Sequence, residues 1–268
     1  MQLSASESHP TARACLVTGA ATRLGRVIAL ALATAGWDIA VHYRSSKQEA
    51  LDTVNAIRSL GRQADAFAAD LSDAQTIAPL FDAVCSRFPR LSAIVNNASR
   101  FAFDRPEATS AASIHDHMAA NLIAPTLLSQ MLYAHLKPAH PPGQDPMGVV
   151  IHLLDQKLAN PNPDFFAYTL SKSALLEATR LSAMAYAPIL RVVGVAPGIT
   201  LASGDQTAEE FHKTHQMTPL GASSRPEEVA DAVVWAAQAR AVTGTMLLVD
   251  GGQHLMAQSR DVMMMIRS

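Results

Sequence analysis

The stretch CLVTGAATRLGRVIALALA, residues 15–33, reads as a buried strand, a tight turn and a helix. Gly19 permits a positive φ or a close backbone approach, and Gly25 permits close packing at the helix start. The free amides that open such a helix favour a phosphate. Outward from this unit the same rhythm repeats. Short apolar runs stand at 14–18, 39–43, 64–69, 93–96, 149–154, 191–195 and 246–249. Between them lie segments with apolar residues three and four apart, such as 24–35 and 227–237. Strands that are apolar throughout and alternate with helices make a parallel sheet covered on both faces. The expected fold class is therefore α/β, one doubly wound domain with a seven-stranded parallel sheet. That domain spans 13–268, behind a loose tail at 1–12, MQLSASESHPTA. The prolines of KPAHPPGQDPMG, 137–148, mark a surface loop. The polar stretch TLASGDQTAEEFHKTHQM, 200–217, follows a strand's carboxyl end and is expected to be a substrate loop.

The chain has 268 residues, 49% apolar and 16% charged, and a net charge of −2 with no block of like charge. Nothing in that pattern is built to hold a nucleic acid. No run is long enough to span a membrane, and the amino-terminal stretch lacks the basic start and apolar centre of a signal peptide. The two isolated thiols, Cys15 and Cys85, read as reduced core residues, so a cytoplasmic location is expected. The sequon Asn97-Ala98-Ser99 is accidental on that reading. His212 and His215 lie three apart in a polar stretch without further ligands; they are expected to be surface histidines, and no metal is expected.

The second strand chooses the cofactor. A dinucleotide fold that reads an unphosphorylated ribose usually ends this strand with Asp or Glu. Here the place holds HYRSS, with Arg44, Ser45 and Ser46, and the next acid is Glu49. A guanidinium and two hydroxyls would welcome a 2′-phosphate that a carboxylate would repel. NADPH is expected over NADH.

The stretch HLLDQKLANPNPDFFAYTLSK, 152–172, carries the chemistry. Tyr168 and Lys172, four apart, share one face of a helix. A lysine cation beside a phenol is expected to draw its pKa down from about 10 and fit it to proton donation near neutrality.

The motifs TGAATRLG, ADLSD, VNNAS, Asn121, YTLSK, VAPG and VDGG together resemble the short-chain dehydrogenase/reductases, in the family's order and over nearly the whole chain. The resemblance implies a Rossmann-type sheet, an Asn-Ser-Tyr-Lys catalytic set and a homotetramer. It sets Gly19, Arg23, Leu24, Gly25, Asp70, Leu71, Asn97, Ala98, Ser99, Pro197, Gly198 and Ile199 along the cofactor, with Tyr168 and Lys172 at its reactive end. It implies that Asp70 ends the third strand and holds the adenine, and that Asn121 anchors a water chain carrying protons to Lys172. Two departures matter: Arg23 replaces the family's second glycine, and Asp155 replaces its catalytic serine. With Phe101 after VNNAS, both are similar to the pteridine reductases and the bacterial dihydromonapterin reductases, also called alternative dihydrofolate reductases. That branch implies Arg23, Ser99, Phe101, Asp155 and Tyr168 around a pterin, with Phe101 covering its outer face.

The serine's replacement has a chemical meaning. A carbonyl reductase needs a hydrogen-bond donor beside the substrate oxygen, and an ionised aspartate only accepts. A pterin offers ring N–H groups and a C=N nitrogen that must gain a proton, which a partly buried carboxyl can supply. The alternative is that Asp155 only caps a loop or pairs with Lys157. The expected activity is NADPH-dependent reduction of a dihydropterin or dihydrofolate, with Asp155, Tyr168, Lys172 and Asn121 catalytic. The alternatives are a reductase of another imine or carbonyl, and a dinucleotide-binding protein without turnover. The closing DVMMMIRS is expected to make a subunit contact.

Overall fold

The computed structural model describes residues 13–202 and 206–266. The tail at 1–12 lies outside the described residues, as do 203–205 of the expected substrate loop. Seven strands form one sheet: β1 (Ala14–Val17), β2 (Asp38–Tyr43), β3 (Ala64–Ala68), β4 (Leu91–Asn96), β5 (Gly148–Leu153), β6 (Leu190–Pro197) and β7 (Met246–Val249). Every pairing is parallel, and the order is β3-β2-β1-β4-β5-β6-β7. This is the expected doubly wound, Rossmann-type sheet.

The helices are α1 (Arg23–Thr34), α2 (Lys47–Ser59), α3 (Ile77–Arg87), α4 (Ala111–Met118), α5 (Ala124–Leu136), α6 (Phe166–Tyr186), α7 (Ala208–Gln216), α8 (Pro226–Gln238) and α9 (Val262–Met265). A π-helical segment, Ala119–Ile123, joins α4 to α5.

Alternation along the strands divides the core in two. Cys15, Val17, Ala93, Val95, Val149 and Ile151 pack with Ile28 and Leu32 of α1, Val54 and Ile57 of α2, and Val229 and Val233 of α8. Leu16, Ile94, Val150 and Val192 face the other way, onto Leu80 and Val84 of α3 and Leu128 and Leu132 of α5. Leucines and isoleucines among them are fully buried, each contributing roughly 1.5–3 kcal/mol. This double cover explains why the strands read as unbroken apolar runs.

The chain steps outward from β1 to β2 and β3, then returns to the other side of β1 with β4. Between β1 and β4 the winding reverses. In open α/β sheets the crevice at that point, beyond the strands' carboxyl ends, is where ligands bind. The stretch 137–148 is irregular up to β5, as its prolines require. The stretch 200–217 departs from expectation: its second half is α7, opened by a reciprocal cap between Thr207 and Glu210. The T-x-x-E spacing is a helix-start signal, and it outweighs weak apolar periodicity.

Candidate active site

A cleft of about 640 Å3 runs across the carboxyl ends of β1 to β4, and a cavity of about 260 Å3 continues it past β5 and β6. Arg23, Leu24, Asn97, Ser99 and Phe101 line both. Gly19, Gly25, Arg44, Ser45, Ser46, Asp70, Leu71 and Ala98 line the first. Asp155, Tyr168, Lys172, Pro197, Gly198 and Ile199 line the second. Asn121 alone of the expected site residues sits behind the walls, fully buried.

The turn after β1 is pinned from below. Gly19 has a φ of 64°, and its amide donates to His42 Nδ1 at 3.0 Å, while His42 Nε2 pairs with the Ala69 carbonyl at 3.1 Å. Burial pushes His42 down to about 4, so the ring is neutral; Nδ1 accepts and Nε2–H donates. One ring thereby ties the turn to the end of β3. The sequence reading missed His42, although a histidine inside the apolar run DIAVHY was the available signal. Thr18 Oγ1 accepts from the amides of Asn97 and Ala98, and Asn97 Nδ2 returns a bond to the Thr18 carbonyl at 2.9 Å. A Cβ at Gly25 would lie 2.1 Å from the Gly19 carbonyl oxygen, so close packing does require glycine there.

Arg23 has a φ of 52°, a left-handed backbone that costs a non-glycine residue roughly 1–2 kcal/mol. The arginine thus occupies a backbone region in which a glycine would be at ease. Its Nη2 donates to the Ala202 carbonyl at 2.6 Å, beyond β6. At the other end of the cleft Arg44 and Ser45 are exposed, with Ser46 half-buried. Asp70 lies two residues past β3 and does not end it. Its Oδ1 accepts from the amide and hydroxyl of Ser72, and these bonds, helped by nearby Arg44, hold its carboxyl below the usual range. A tight turn at a helix start, a guanidinium with two hydroxyls, and an acid beyond β3 form a donor set that fits a phosphorylated dinucleotide.

Asp155 stands just past β5 and Tyr168 in the first turn of α6. Tyr168 Oη donates to Asp155 Oδ2 at 2.7 Å, and the Lys157 amide donates to Asp155 Oδ1 at 2.8 Å. Asp155 is therefore a loop cap and a partner of the tyrosine at once. The Lys157 side chain does not pair with it; its ammonium reaches the Asp164 carbonyl and Asp261. Lys172 Nζ lies 5.7 Å from the centre of the Tyr168 ring and donates to the Leu153 carbonyl at 2.6 Å.

The electrostatics correct one expectation. Tyr168 is pushed well above the ordinary phenol range, by burial first and the Asp155 carboxylate second. Lys172 does not draw it down: burial lowers the ammonium itself to about 8, and its proton points at Leu153. Burial also raises Asp155, against the opposing bonds from Lys157 and Tyr168 and with a further push from Asp261. The carboxyl and the phenol both hold protons more tightly than usual.

Phe101 is 45% exposed and stacks on Phe165 with ring centres 4.3 Å apart, while the Tyr168 ring meets it edge-on at 4.8 Å. Phe165, at a φ of 55°, opens α6. Asn121 Oδ1 accepts from the Arg100 amide at 2.7 Å and the Ser99 hydroxyl at 3.1 Å; Nδ2 donates to the Arg100 carbonyl and Ser171 Oγ. All its side-chain groups are engaged. The side chain fixes the 99–101 segment. His212 is exposed, but His215 is half-buried and bonds the Ile199 carbonyl at 3.1 Å, tying α7 to the cavity. Among the described residues no cluster of three or more His, Cys, Asp or Glu could hold a metal. Cys15 is buried and Cys85 half-buried, both free. Asp261, Val262 and Met263 line the cavity, so the start of DVMMMIRS packs on its own chain. No helix among the described residues is long and apolar enough to cross a membrane.

Comparison with known proteins agrees with the fold and with the cofactor. The sequence model of a family described as enoyl-(acyl carrier protein) reductase matches residues 19–254. A 3beta-hydroxysteroid dehydrogenase 1 of Eggerthella lenta is 32% identical over 90% of this chain and 93% of its own. Pteridine reductase 1 of Leishmania tarentolae is 30% identical over 92% of this chain and 98% of its own. Among solved structures, the FolM alternative dihydrofolate reductase 1 of Brucella canis complexed with NADP is 36% identical, with a TM-score of 0.85 over 93% of this chain and 96% of that one.

Proposed function

We propose, from the premise that this chain belongs to the short-chain dehydrogenase/reductase family, that it reduces a C=N bond of a dihydropterin or dihydrofolate. The chain is an NADP(H)-dependent oxidoreductase of that family. The observation that carries the pteridine reading is the carboxylate of Asp155, 2.7 Å from the Tyr168 hydroxyl, where the family's carbonyl reductases carry a serine.

Bound NADPH supplies the hydride. The Gly19–Gly25 turn, Arg23, Arg44, Ser45 and Ser46 would hold its phosphates, Asp70 and Leu71 its adenine end, and Asn97, Ala98, Ser99, Pro197, Gly198, Ile199, Tyr168 and Lys172 the rest. The chain's own residues manage the proton. The Asp155–Tyr168 pair holds it, since burial raises both groups. Passing it from Tyr168 Oη or Asp155 Oδ2 to a ring nitrogen leaves negative charge on the pair, which the Lys172 ammonium offsets. A carboxylate beside the ring also accepts from pterin N–H groups and suits positive charge on the ring before reduction. The stacked Phe101 and Phe165 offer a flat aromatic shelf for a flat substrate. Arg23 and Ser99, shared by both cavities, lie where they can touch cofactor and substrate.

A second reading, reduction of a ketone, is favoured by relatives named for that chemistry, among them an angucycline C-6 ketoreductase at 28% identity. The buried Tyr168 and Lys172 speak against a binding protein without turnover. A homotetramer is supported by the exposed Leu181 and Met184 on α6, and a cytoplasmic setting by the free thiols. The test follows NADPH consumption with dihydrobiopterin, dihydromonapterin, dihydrofolate and a panel of ketones. Turnover of the pterins supports the proposal; turnover of ketones alone sinks it.

A further inference from the structure

Asp261, Val262 and Met263 line the substrate cavity together with Asp155 and Tyr168. They are held there by a charged network. The Asp261 amide and Arg260 Nε both donate to Asp164 Oδ2, at 2.8 and 2.7 Å. Asp261 Oδ1 accepts from the Met263 amide at 3.1 Å and so caps α9. Lys157 Nζ meets Asp261 Oδ2 at 3.2 Å and the Asp164 carbonyl at 2.6 Å. Lys157 is 4% exposed and Asp164 wholly buried. An ammonium leaves water at this depth only where partners are fixed around it, and removing one partner strands the other.

Lys157 also touches the two other sides of the cavity. Its amide holds Asp155 Oδ1 at 2.8 Å, and its ammonium lies 5.4 Å from the centre of the Phe165 ring on which Phe101 stacks. One residue thus joins the carboxylate, the aromatic shelf and the end of the chain. The cavity these residues line is about 260 Å3, smaller than the roughly 300–1,000 Å3 typical of sites for drug-sized ligands.

We propose that Asp261–Met263 is a built wall of the substrate pocket, limiting the size of the ring substituent that fits, and that Lys157 is the positioning residue that seats it. The identity of the substrate as a pterin rests on the reading above; the seating of the wall does not.

The experiment uses the full chain and compares Lys157→Met, Lys157→Arg and Asp261→Asn with the wild type. Hydrogen exchange reads the wall directly. The amides of Asp261, Met263 and Met264 are bonded to Asp164 Oδ2, Asp261 Oδ1 and the Asp261 carbonyl. Their exchange should quicken about tenfold or more in Lys157→Met and Asp261→Asn and return towards wild type in Lys157→Arg. In steady state, KM for dihydrobiopterin should rise about tenfold, with NADPH affinity changed by less than about threefold. Met263→Ala should lower the preference for dihydrobiopterin over the longer dihydrofolate. Should Lys157→Met fail to fold, Asp261→Asn cuts the same pair from its less buried side. Unchanged exchange at these amides in the folded variants overturns the proposal, as does a parallel rise in the constants for pterin and NADPH. A wild type idle on every pterin defeats only the pteridine reading; exchange, and KM for the substrate it does reduce, then decide the wall.

Discussion

The Tyr168 hydroxyl donates a hydrogen bond to Asp155 at 2.7 Å, so the two groups form one proton-holding unit. Lys172, one helical turn on from Tyr168, supplies the compensating charge from a position fixed by the Leu153 carbonyl. Burial acts on all three. It raises the carboxyl and the phenol and lowers the ammonium to about 8.

The pH profile follows from these directions. The Tyr168 phenol keeps its proton at neutral pH, because burial and the Asp155 carboxylate raise it well above its ordinary range. Lys172 loses its charge as pH rises through about 8, and with it the means to offset negative charge on the pair. Measured kcat at saturating NADPH should therefore fall on the alkaline side with a midpoint at about 8. A rate that stays level up to about pH 10 would contradict the assignment.

Arg44 should set the choice of cofactor. It is exposed at the end of β2 beside Ser45, and no carboxylate closes that strand. Arg44→Ala should weaken NADPH about tenfold to a hundredfold by removing charge-assisted bonds to the 2′-phosphate, and leave NADH within a few-fold. Titration of both cofactors checks this; equal losses would exclude a phosphate contact.

Gly25 should tolerate no side chain. An added Cβ would meet the Gly19 carbonyl oxygen at 2.1 Å and Asn97 Nδ2 at 2.5 Å. Gly25→Ala should cost about 1–3 kcal/mol through forced backbone shifts. That lowers Tm by a few degrees for each kcal/mol in a chain of this size, and NADPH affinity should fall with it. An unchanged melting curve would show that the turn yields freely.

Much of this was legible in the sequence, for identifiable reasons. The strands were found to within a residue or two because helices cover both sheet faces, so apolar runs such as Val149–Ile151 break only at turns. The residues expected at the cofactor line one cleft because they sit in short motifs at strand ends, which the winding reversal between β1 and β4 gathers together. What escaped depends on distant pairing. Lys157 and Asp261 meet across 104 residues, so nothing local marks Val262 and Met263 as cavity wall. His42 acts through two backbone groups of other strands. The pKa of Tyr168 went the unexpected way because its depth, and the direction in which Lys172 points, are tertiary facts. α7 is a different case: its Thr207–Glu210 cap was written in the sequence and passed over.

The central claim is that Asp155, paired with Tyr168, is there to pass a proton to nitrogen. The most direct measurement is steady-state turnover of dihydrobiopterin by Asp155→Ser at saturating NADPH, with cofactor affinity measured on the same sample. Turnover should fall about a hundredfold or more, the weight of a positioned proton donor, while NADPH affinity stays within about twofold. Undiminished turnover would contradict the account.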